Sequence, residues 1–271
     1  MNAGTGRPAA QGPLTGVGVM VTRASHQAGL LCEMIENAGG RAVRLPVLEI
    51  TGPTSAAGLE RIINRLSAFH IAIFVSQNAV VFGHALGADL GAIKLAAIGQ
   101  KTAAALEQTG NRVDIYPRLG FTTEDLLKLP EMNDVRGRRI VIFRGEGGRE
   151  RLGETLRARG ASVVYAEVYR RVRPRELPAA LRRCLEQRAA ELITVASGEA
   201  LKNLDQGCAP ELRSRLHETA LLAGSARIAA QAHSAGFTRV DAAKDPSDEA
   251  MFERLLQWAR QRASGARVTQ T

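Results

Sequence analysis

The residues best suited to chemistry lie in short polar or glycine-rich junctions, each of which follows a run of β-forming residues. The junctions are 22–25, 76–78, 99–102, 144–149, 197–198 and 224–227. If each joins a parallel strand to a helix, the free N–H groups of the helix N-terminus favour an anion at that edge. Together they predict a site for a small polyanion. Ser and Thr there also act as ordinary helix caps, so no single junction is decisive.

The run from Arg144 to Arg149 is the most glycine-rich of these junctions. Its backbone N–H groups are predicted to form an anion-binding nest with an arginine at either end. The run is not a Walker A loop, and Glu150 occupies the third glycine position of a GxGxxG pattern. A nucleotide cofactor is therefore not indicated.

Strong catalytic groups are scarce. The three cysteines form no CxxC pair, the five histidines form no HExxH or HxH pattern, and there is no GxSxG sequence. We expect neither a metal site nor a cofactor. Tyr169, one of three tyrosines, lies in an extended segment, where its phenol is suited to donate a proton. The alternative is a packed tyrosine whose hydroxyl is bonded at the rim of the sheet.

Short β-rich runs alternate with helical patterns along the chain, which predicts α/β units on parallel sheets. Predicted strands cover 17–21, 42–45, 71–75, 95–98, 139–143, 162–165, 192–195, 220–223 and 239–241. Predicted helices cover 27–38, 78–86, 101–109, 149–159, 226–234 and 248–260. Nine strands exceed what one small sheet usually holds, so the pattern favours two domains.

An internal repeat supports two similar halves. Arg23 and Arg144 end corresponding strands, and Ser76 and Ser197 follow corresponding strands, both pairs 121 positions apart. Gly99 and Gly224 form a third such pair, 125 positions apart. Segments 45–50 and 166–171 occupy equivalent places and have extended patterns, so they are candidate linkers that run side by side.

The composition limits the partners. A net charge of +9 favours an anionic partner, whereas only 4% aromatic residues argues against a nucleic-acid platform. No run approaches 18 apolar residues, and the first residues lack the apolar core of a signal peptide. We therefore expect a cytoplasmic protein with a disordered leader over 1–15 and a disordered tail over 263–271, bound to neither nucleic acid nor membrane.

Several motifs occur together in a specific order. They are Val21-Thr22-Arg23, Leu45-Pro46, Glu49-Ile50, Phe74-Val75-Ser76-Gln77-Asn78-Ala79-Val80, Ile98-Gly99-Gln100-Lys101-Thr102-Ala103, Phe121-Thr122-Thr123-Glu124-Asp125-Leu126, Arg144-Gly145-Glu146-Gly147-Gly148-Arg149-Glu150, Val168-Tyr169-Arg170-Arg171 and Pro246-Ser247-Asp248-Glu249-Ala250. With this order and spacing, residues 17–256 resemble uroporphyrinogen-III synthase.

The resemblance implies two flavodoxin-like parallel-sheet domains joined by a two-stranded β-ladder. One domain is expected to combine 16–48 with 173–262, and the other to comprise 51–169. The implied reaction is cyclisation of hydroxymethylbilane, a linear tetrapyrrole with eight carboxylates, with loss of water and inversion of ring D. The implied enzyme uses no cofactor and acts as a monomer, in transient contact with the preceding pathway enzyme. The alternative is a two-lobed, non-catalytic binding or regulatory protein for an anionic metabolite.

The resemblance also assigns residues. Tyr169 matches the tyrosine suspected of assisting departure of the hydroxyl group. Residues expected to bind substrate, some through backbone N–H groups alone, are Thr22, Arg23, Ser76, Gln77, Asn78, Gly99, Thr102, Arg144, Gly145, Gly148, Arg149, Ser197, Gly198, Ser225 and Arg227. The family often has Gly-Pro-Thr-Thr-Ala where this chain has residues 224–228, so two threonines are replaced by Ala226 and Arg227.

Overall fold

The computed structural model describes residues 12–91 and 93–268, with side chains up to residue 262. The chain forms two compact units. We call Met1–Glu49 with Val172–Thr271 the discontinuous unit, and Ile50–Arg171 the continuous unit.

The strands are β1 Gly18–Val21, β2 Arg41–Arg44, β3 Glu49–Thr51, β4 Ile71–Phe74, β5 Lys94–Ala97, β6 Arg139–Gly145, β7 Ser162–Val172, β8 Leu192–Val195, β9 Ala220–Ala223 and β10 Val240–Ala242. The α-helices are α1 Gly29–Asn37, α2 Ala57–Ile63, α3 Gln77–Ala85, α4 Gln100–Gln108, α5 Thr123–Leu127, α6 Pro130–Asn133, α7 Arg151–Ala158, α8 Leu177–Glu186, α9 Gly198–Gly207, α10 Arg213–Glu218, α11 Ala226–Ser234 and α12 Asp248–Val268.

The discontinuous unit contains a five-stranded parallel sheet in the order β10-β9-β8-β1-β2. Numbered within the unit, the order is 5-4-3-1-2, and the direction of winding reverses between β1 and β8. In doubly wound sheets, ligands bind beyond the carboxyl ends of the strands at such a switch point. A ligand site is therefore expected beside the residues that follow β1 and β8.

The continuous unit contains a sheet in the order β3-β7-β6-β4-β5, and the four strands from β7 to β5 are parallel. Its switch point lies between β6 and β4. The β3 strand lies beside β7, which has 11 residues and includes both the predicted strand 162–165 and the extended segment 166–171. Parallel α/β sheets are thus observed, as the alternating pattern predicted.

The central strands of each sheet are buried on both faces, as expected for parallel strands covered by helices. All four residues of β4 are buried, and they alternate between two apolar clusters. Phe74 stacks on Phe143 of the adjacent strand, with ring centroids 4.4 Å apart and an interplanar angle of 8°. A Cβ on Gly83 of α3 would lie 3.1 Å from Cδ1 of Phe143, so the small residue lets this helix pack closely on the sheet.

The predicted disordered leader and tail both include residues that the structure shows as ordered. Leu14 is fully buried, and its N–H donates to the carbonyl of Ala38 at 3.0 Å. Residues 12–15 are thus held by packing and a backbone hydrogen bond, while 1–11 lie outside the described residues. The α12 helix continues to Val268, beyond the predicted end at 260 and into the expected tail. Residues 269–271 lie outside the description.

None of the described helices combines the length and apolar character needed to span a bilayer. Within the same part of the chain, no three His, Cys, Asp or Glu side chains are grouped as metal ligands would be.

We predict that Phe143→Ala destabilises the continuous unit by about 3–5 kcal/mol, because it removes a fully buried ring and leaves a cavity beside Phe74. Hydrogen exchange under native conditions measures the effect for each unit separately. Protection should fall in peptides from 50–171 and persist in those from β1, β8 and β9.

The matched control is Phe121→Ala, which truncates a ring that is 79% exposed. It should change stability by less than about 0.5 kcal/mol. Equal losses for the two phenylalanine variants would contradict the role assigned to the Phe74–Phe143 stack.

Candidate functional site

The sheet of the continuous unit brings two predicted junctions together at its switch point. Ser76 follows β4 and caps α3, its Oγ accepting a hydrogen bond from the N–H of Ala79 at 3.0 Å. Gly145 ends the adjacent strand, β6. The residues expected to start two helices around an anion therefore lie at neighbouring strand ends.

Tyr169 of β7 reaches across the end of β6 to this point. Its phenol oxygen lies 3.1 Å from Oγ of Ser76. A shift in register between Arg144 and Gly145 places Gly145 opposite Tyr169. A Cβ on Gly145 would lie only 2.7 Å from Cε2 and Cζ of the tyrosine ring, so glycine is required for the ring to cross the strand.

The Tyr169 side chain is tightly held. The residue is 2% exposed, and its ring contacts the Phe82 ring with centroids 5.9 Å apart. Nη2 of Arg171 lies 3.5 Å from the phenol oxygen. Ser76, by contrast, is only partly buried. Its hydroxyl therefore connects the buried phenol with the edge of the sheet.

The glycine-rich loop differs from the expected anion nest. The N–H of Glu146 donates to the carbonyl of Tyr169 at 2.8 Å, and that of Gly148 donates to the carbonyl of Gly145 at 3.3 Å. These two N–H groups are not available to an anion. The Glu146 carboxylate accepts hydrogen bonds from the N–H and hydroxyl of Thr54, which hold the pKa of Glu146 below its usual value. The loop is thus anchored within its own unit.

Arg144 is also occupied by the protein. It is 5% exposed, and its Nη2 lies 2.7 Å from Oε1 of Glu150 and 3.1 Å from Oε1 of Glu167. Its guanidinium also lies 3.9 Å from the centroid of the Tyr165 ring. Burial lowers the pKa of Arg144, but the two glutamates raise it above its usual value. A substrate carboxylate would have to displace these partners, whereas Arg149 is exposed.

The β5 strand leads to the next predicted junction. Gly99 is the N-terminal cap of α4, and a Cβ there would lie 2.8 Å from Cβ of Phe121. Thr102 is 4% exposed, so its side chain faces the interior. Gln77 is exposed and Asn78 is partly buried, both in the first turn of α3.

In the discontinuous unit, Thr22 and Arg23 follow β1. Thr22 is 1% exposed, and its hydroxyl donates to the carbonyl of Thr194 at 2.6 Å. The hydroxyl proton of Thr22 therefore forms a hydrogen bond between adjacent strands and is not available to a ligand at the predicted site. Arg23 bonds the carbonyl of Pro246 and lies 3.4 Å from the carboxylate of Asp248. Its Nε is buried without a partner among the described residues.

Two predicted serines of this unit are helix caps. Ser197 accepts from the N–H of Ala200 at 3.1 Å, and Ser225 accepts from that of Ile228 at 3.4 Å. Gly198 is the first residue of α9, and Arg227 is exposed on α11. Along this sheet edge the structure therefore brings together the junctions that follow β1, β8 and β9.

Sequence reasoning missed the groups that bind the predicted residues. Arg144 is bound by Glu150, 6 positions away in the sequence, and by Glu167, 23 positions away. Glu146 is bound by Thr54, which is 92 positions away. The proximity of Glu150 in the sequence was a usable signal. The other contacts depend on strand register, which a single sequence specifies poorly.

Most of the chain resembles known proteins. A family model described as Uroporphyrinogen-III synthase HemD matches residues 31–253. The uroporphyrinogen-III synthase of Salmonella typhimurium is 31% identical over 243 residues, which cover 88% of this chain and 99% of that protein. The Escherichia coli protein of the same name is 30% identical with the same coverage.

Solved structures agree on the fold. The uroporphyrinogen-III synthetase of Helicobacter pylori has a TM-score of 0.60 at 14% identity, covering 89% of this chain and 99% of that one. A mutant uroporphyrinogen III synthase of Thermus thermophilus has a TM-score of 0.57 at 20% identity, covering 91% and 99%. At such identities, the likeness shows an α/β fold with parallel sheets.

The match to the family model extends over most of both units, and the two relatives are similar over nearly their full lengths. Their names are those of an enzyme, which disfavours the alternative of a non-catalytic binding or regulatory protein. The chain belongs to the uroporphyrinogen-III synthase family.

Proposed function

We propose that this lyase of tetrapyrrole biosynthesis uses Tyr169 and Ser76 at the reacting end of hydroxymethylbilane. The observation that carries the proposal is the 3.1 Å contact between their hydroxyl oxygens, at the carboxyl edge of the continuous unit's sheet. Tyr169 is the proton source, and the less buried Ser76 presents its hydroxyl to the substrate.

The proposed first step removes the hydroxyl group from ring A. The C–O bond breaks while the pyrrole nitrogen supplies electrons and keeps its proton, which gives a cationic, N-protonated azafulvene. The hydroxyl leaves as water after it receives a proton, from Tyr169 through the hydroxyl of Ser76. The substituted carbon of ring D then bonds to the ring A methylene and gives a spiro intermediate. Its bond to the original bridge carbon breaks, and that bridge carbon bonds to the free α-carbon of ring D, which inverts the ring. The proton lost from that α-carbon returns to Tyr169.

The substrate supplies most of this reactivity, so the protein acts mainly by positioning. A held geometry favours the inverting closure over the spontaneous non-inverting one. This explains how a chain with few strong acids and bases at its strand ends can direct the reaction.

Carboxylate binding at the strand ends is compatible with helix capping. A capping serine uses an oxygen lone pair, so its O–H remains a donor. This applies to Ser197 and Ser225. Each helix N-terminus also contributes about 0.3–1 kcal/mol to the free energy of binding an anion. Arg23 adds a buried Nε that has no partner among the described residues. We assign it a direct substrate contact, and we assign Arg144 a supporting role.

The finer architecture is also proposed. Both sheets have the same strand order once the starting points are matched, β2-β1-β8-β9 against β7-β6-β4-β5. This supports two flavodoxin-like lobes that arose by duplication, and the β3–β7 pairing supports a two-stranded ladder. We further propose that the protein is a cytoplasmic monomer. Transient contact with the preceding enzyme is also proposed, because the substrate can close spontaneously once it is released. A sedimentation mass of twice the chain mass would argue against the monomer.

The first prediction concerns the product. Purified protein mixed with freshly generated hydroxymethylbilane should yield predominantly the type III isomer, measured by chromatography after oxidation to porphyrins. The control without protein should give type I from spontaneous closure. If the protein reaction also gives type I alone, the chain does not catalyse the inversion.

The second prediction concerns the phenol. Tyr169→Phe should lower kcat by about 100-fold, because a positioned general acid contributes about 10²–10⁴-fold, while KM changes little. Tyr165→Phe is the matched control, since its hydroxyl contacts the carbonyl of Glu150 at 3.4 Å, away from Ser76. Retention of parental kcat by the Tyr169 variant would reduce that residue to a packing role.

The third prediction concerns the strand crossing. Gly145→Ala should lower kcat at least about tenfold, since the new Cβ displaces the Tyr169 ring. Gly52→Ala is the control, because a Cβ there meets no atom within 4 Å. Combining Gly145→Ala with Tyr169→Phe should add little to the loss from the tyrosine change alone. Fully additive losses would mean that Gly145 does not act through the tyrosine.

A further inference from the structure

A cavity in the discontinuous unit lies at the edge of its sheet opposite the strand ends assigned to the substrate. It has a volume of about 490 Å³ and lies beside Glu191, Thr219 and Arg239, which immediately precede β8, β9 and β10. Thr22 and Ser197 follow the other ends of β1 and β8, about 13 Å away for a four-residue strand. Cavities of about 300–1,000 Å³ are typical of small-ligand sites. This one is separate from the strand ends assigned to the substrate.

Four arginines line this cavity. They are Arg188, Arg215, Arg239 and Arg262. None forms an ion pair with a carboxylate within the described part of the chain.

The two acidic residues of the lining have other partners. Glu191 accepts a hydrogen bond from the N–H of Gly18, and Glu218 accepts one from the hydroxyl of Ser214. Four arginines against two carboxylates leave the lining with a net positive charge, which favours an anionic ligand.

Apart from Thr219, the rest of the lining is apolar. Trp258, the single tryptophan of the chain, is partly buried there, and the guanidinium of Arg262 lies 5.6 Å from its ring centroid. Met20 and Leu185 are buried beside it. Burial raises the pKa of the Cys184 thiol, which keeps that part of the lining uncharged near neutral pH. Nη1 of Arg215 donates to the carbonyl of Leu185 at 3.1 Å. Apolar surface beside arginines that have no carboxylate partner among the described residues suits a ligand with both a ring and several negative charges.

Arg188 lies directly after the C-terminal cap of α8, at the position where the helix ends. Its φ angle is 49°, and it is the single non-glycine residue with positive φ in the described part of the chain. The adjacent Ala189 is held on both sides, because its carbonyl accepts from Nη2 of Arg41 at 2.7 Å and its N–H donates to Cys184. Together with the bond from the N–H of Arg188 to the carbonyl of Leu185, this is the αL turn with which helices commonly end, and it fixes the backbone of Arg188 beside the cavity.

We propose that this cavity binds a small aromatic polyanion, with its ring against Trp258 and its charged groups against the arginines. The site is distinct from the substrate site, and its occupation does not depend on the assignments of Tyr169 and Ser76.

Fluorescence of Trp258 in the full chain reports binding directly, because no other tryptophan contributes. The first probe is trimesate, a benzene ring with three carboxylates, and its matched probe is tricarballylate, which has three carboxylates and no ring. Trimesate should quench saturably and bind at least about fivefold more tightly, since a buried ring contact is worth about 1 kcal/mol. Equal affinities, or quenching that never saturates, would overturn the proposal.

A second pair of probes distinguishes phosphate from carboxylate as the charged group. ATP carries a ring and three phosphates, whereas tripolyphosphate carries the phosphates alone. Tighter binding of ATP than of trimesate would assign the arginines to phosphate, and the reverse order would assign them to carboxylate. In either case the ring-bearing probe must bind more tightly than its ring-free partner, or the proposal fails.

Arg188→Asn combined with Arg239→Gln tests the arginines, and Asn is chosen because it tolerates positive φ. Affinity for trimesate should fall at least about tenfold, measured by calorimetry as well as fluorescence. Arg65→Gln combined with Arg138→Gln removes the same charge from exposed positions of the other unit and should leave affinity within about twofold. Equal losses in both double variants would mean that only overall charge attracts the probes. Loss of affinity counts only if circular dichroism shows the parental fold.

Discussion

The contact between the hydroxyls of Tyr169 and Ser76 depends on three adjacent strands at once. Tyr169 is on β7, Ser76 follows β4, and β6 lies between them. The ring crosses β6 only because Gly145 has no side chain and because the register shifts there by one residue. A glycine, a bulge and a cap thus combine to place one phenol at the switch point of the sheet, where doubly wound folds bind ligands.

The anchored surroundings of this contact fit a reaction directed by geometry. Arg144 is held by two glutamates and an aromatic ring, and the loop after β6 is fixed to Thr54 through Glu146. These groups hold the strand end in one position and do not themselves provide acid or base. Rigid support of that kind is what positioning requires, since displacements of about 1 Å can cost two orders of magnitude in rate.

The sequence allowed prediction of parallel α/β sheets and of the places where strands end, because apolar runs and junction residues are local signals. The strands after which Thr22, Ser76 and Ser197 occur were identified correctly. The hydrogen-bond or ion-pair partner of each side chain was harder to predict from the sequence. The hydroxyl of Thr22 turns inward to a carbonyl on β8, 172 positions away, and Arg144 pairs with a glutamate on β7. Such partners are set by register across the sheet rather than by neighbouring residues.

The interrupted course of the discontinuous unit has a consequence for synthesis on the ribosome. Its central strand β1 is made early, yet the β8 strand that pairs with it follows about 170 residues later. At a translation rate of about 5–20 residues per second, the edge of β1 that pairs with β8 stays unpaired for roughly ten to thirty seconds. During that interval the continuous unit can complete its own sheet, while β1 and β2 present an unpaired edge of the kind that invites aggregation and that chaperones protect.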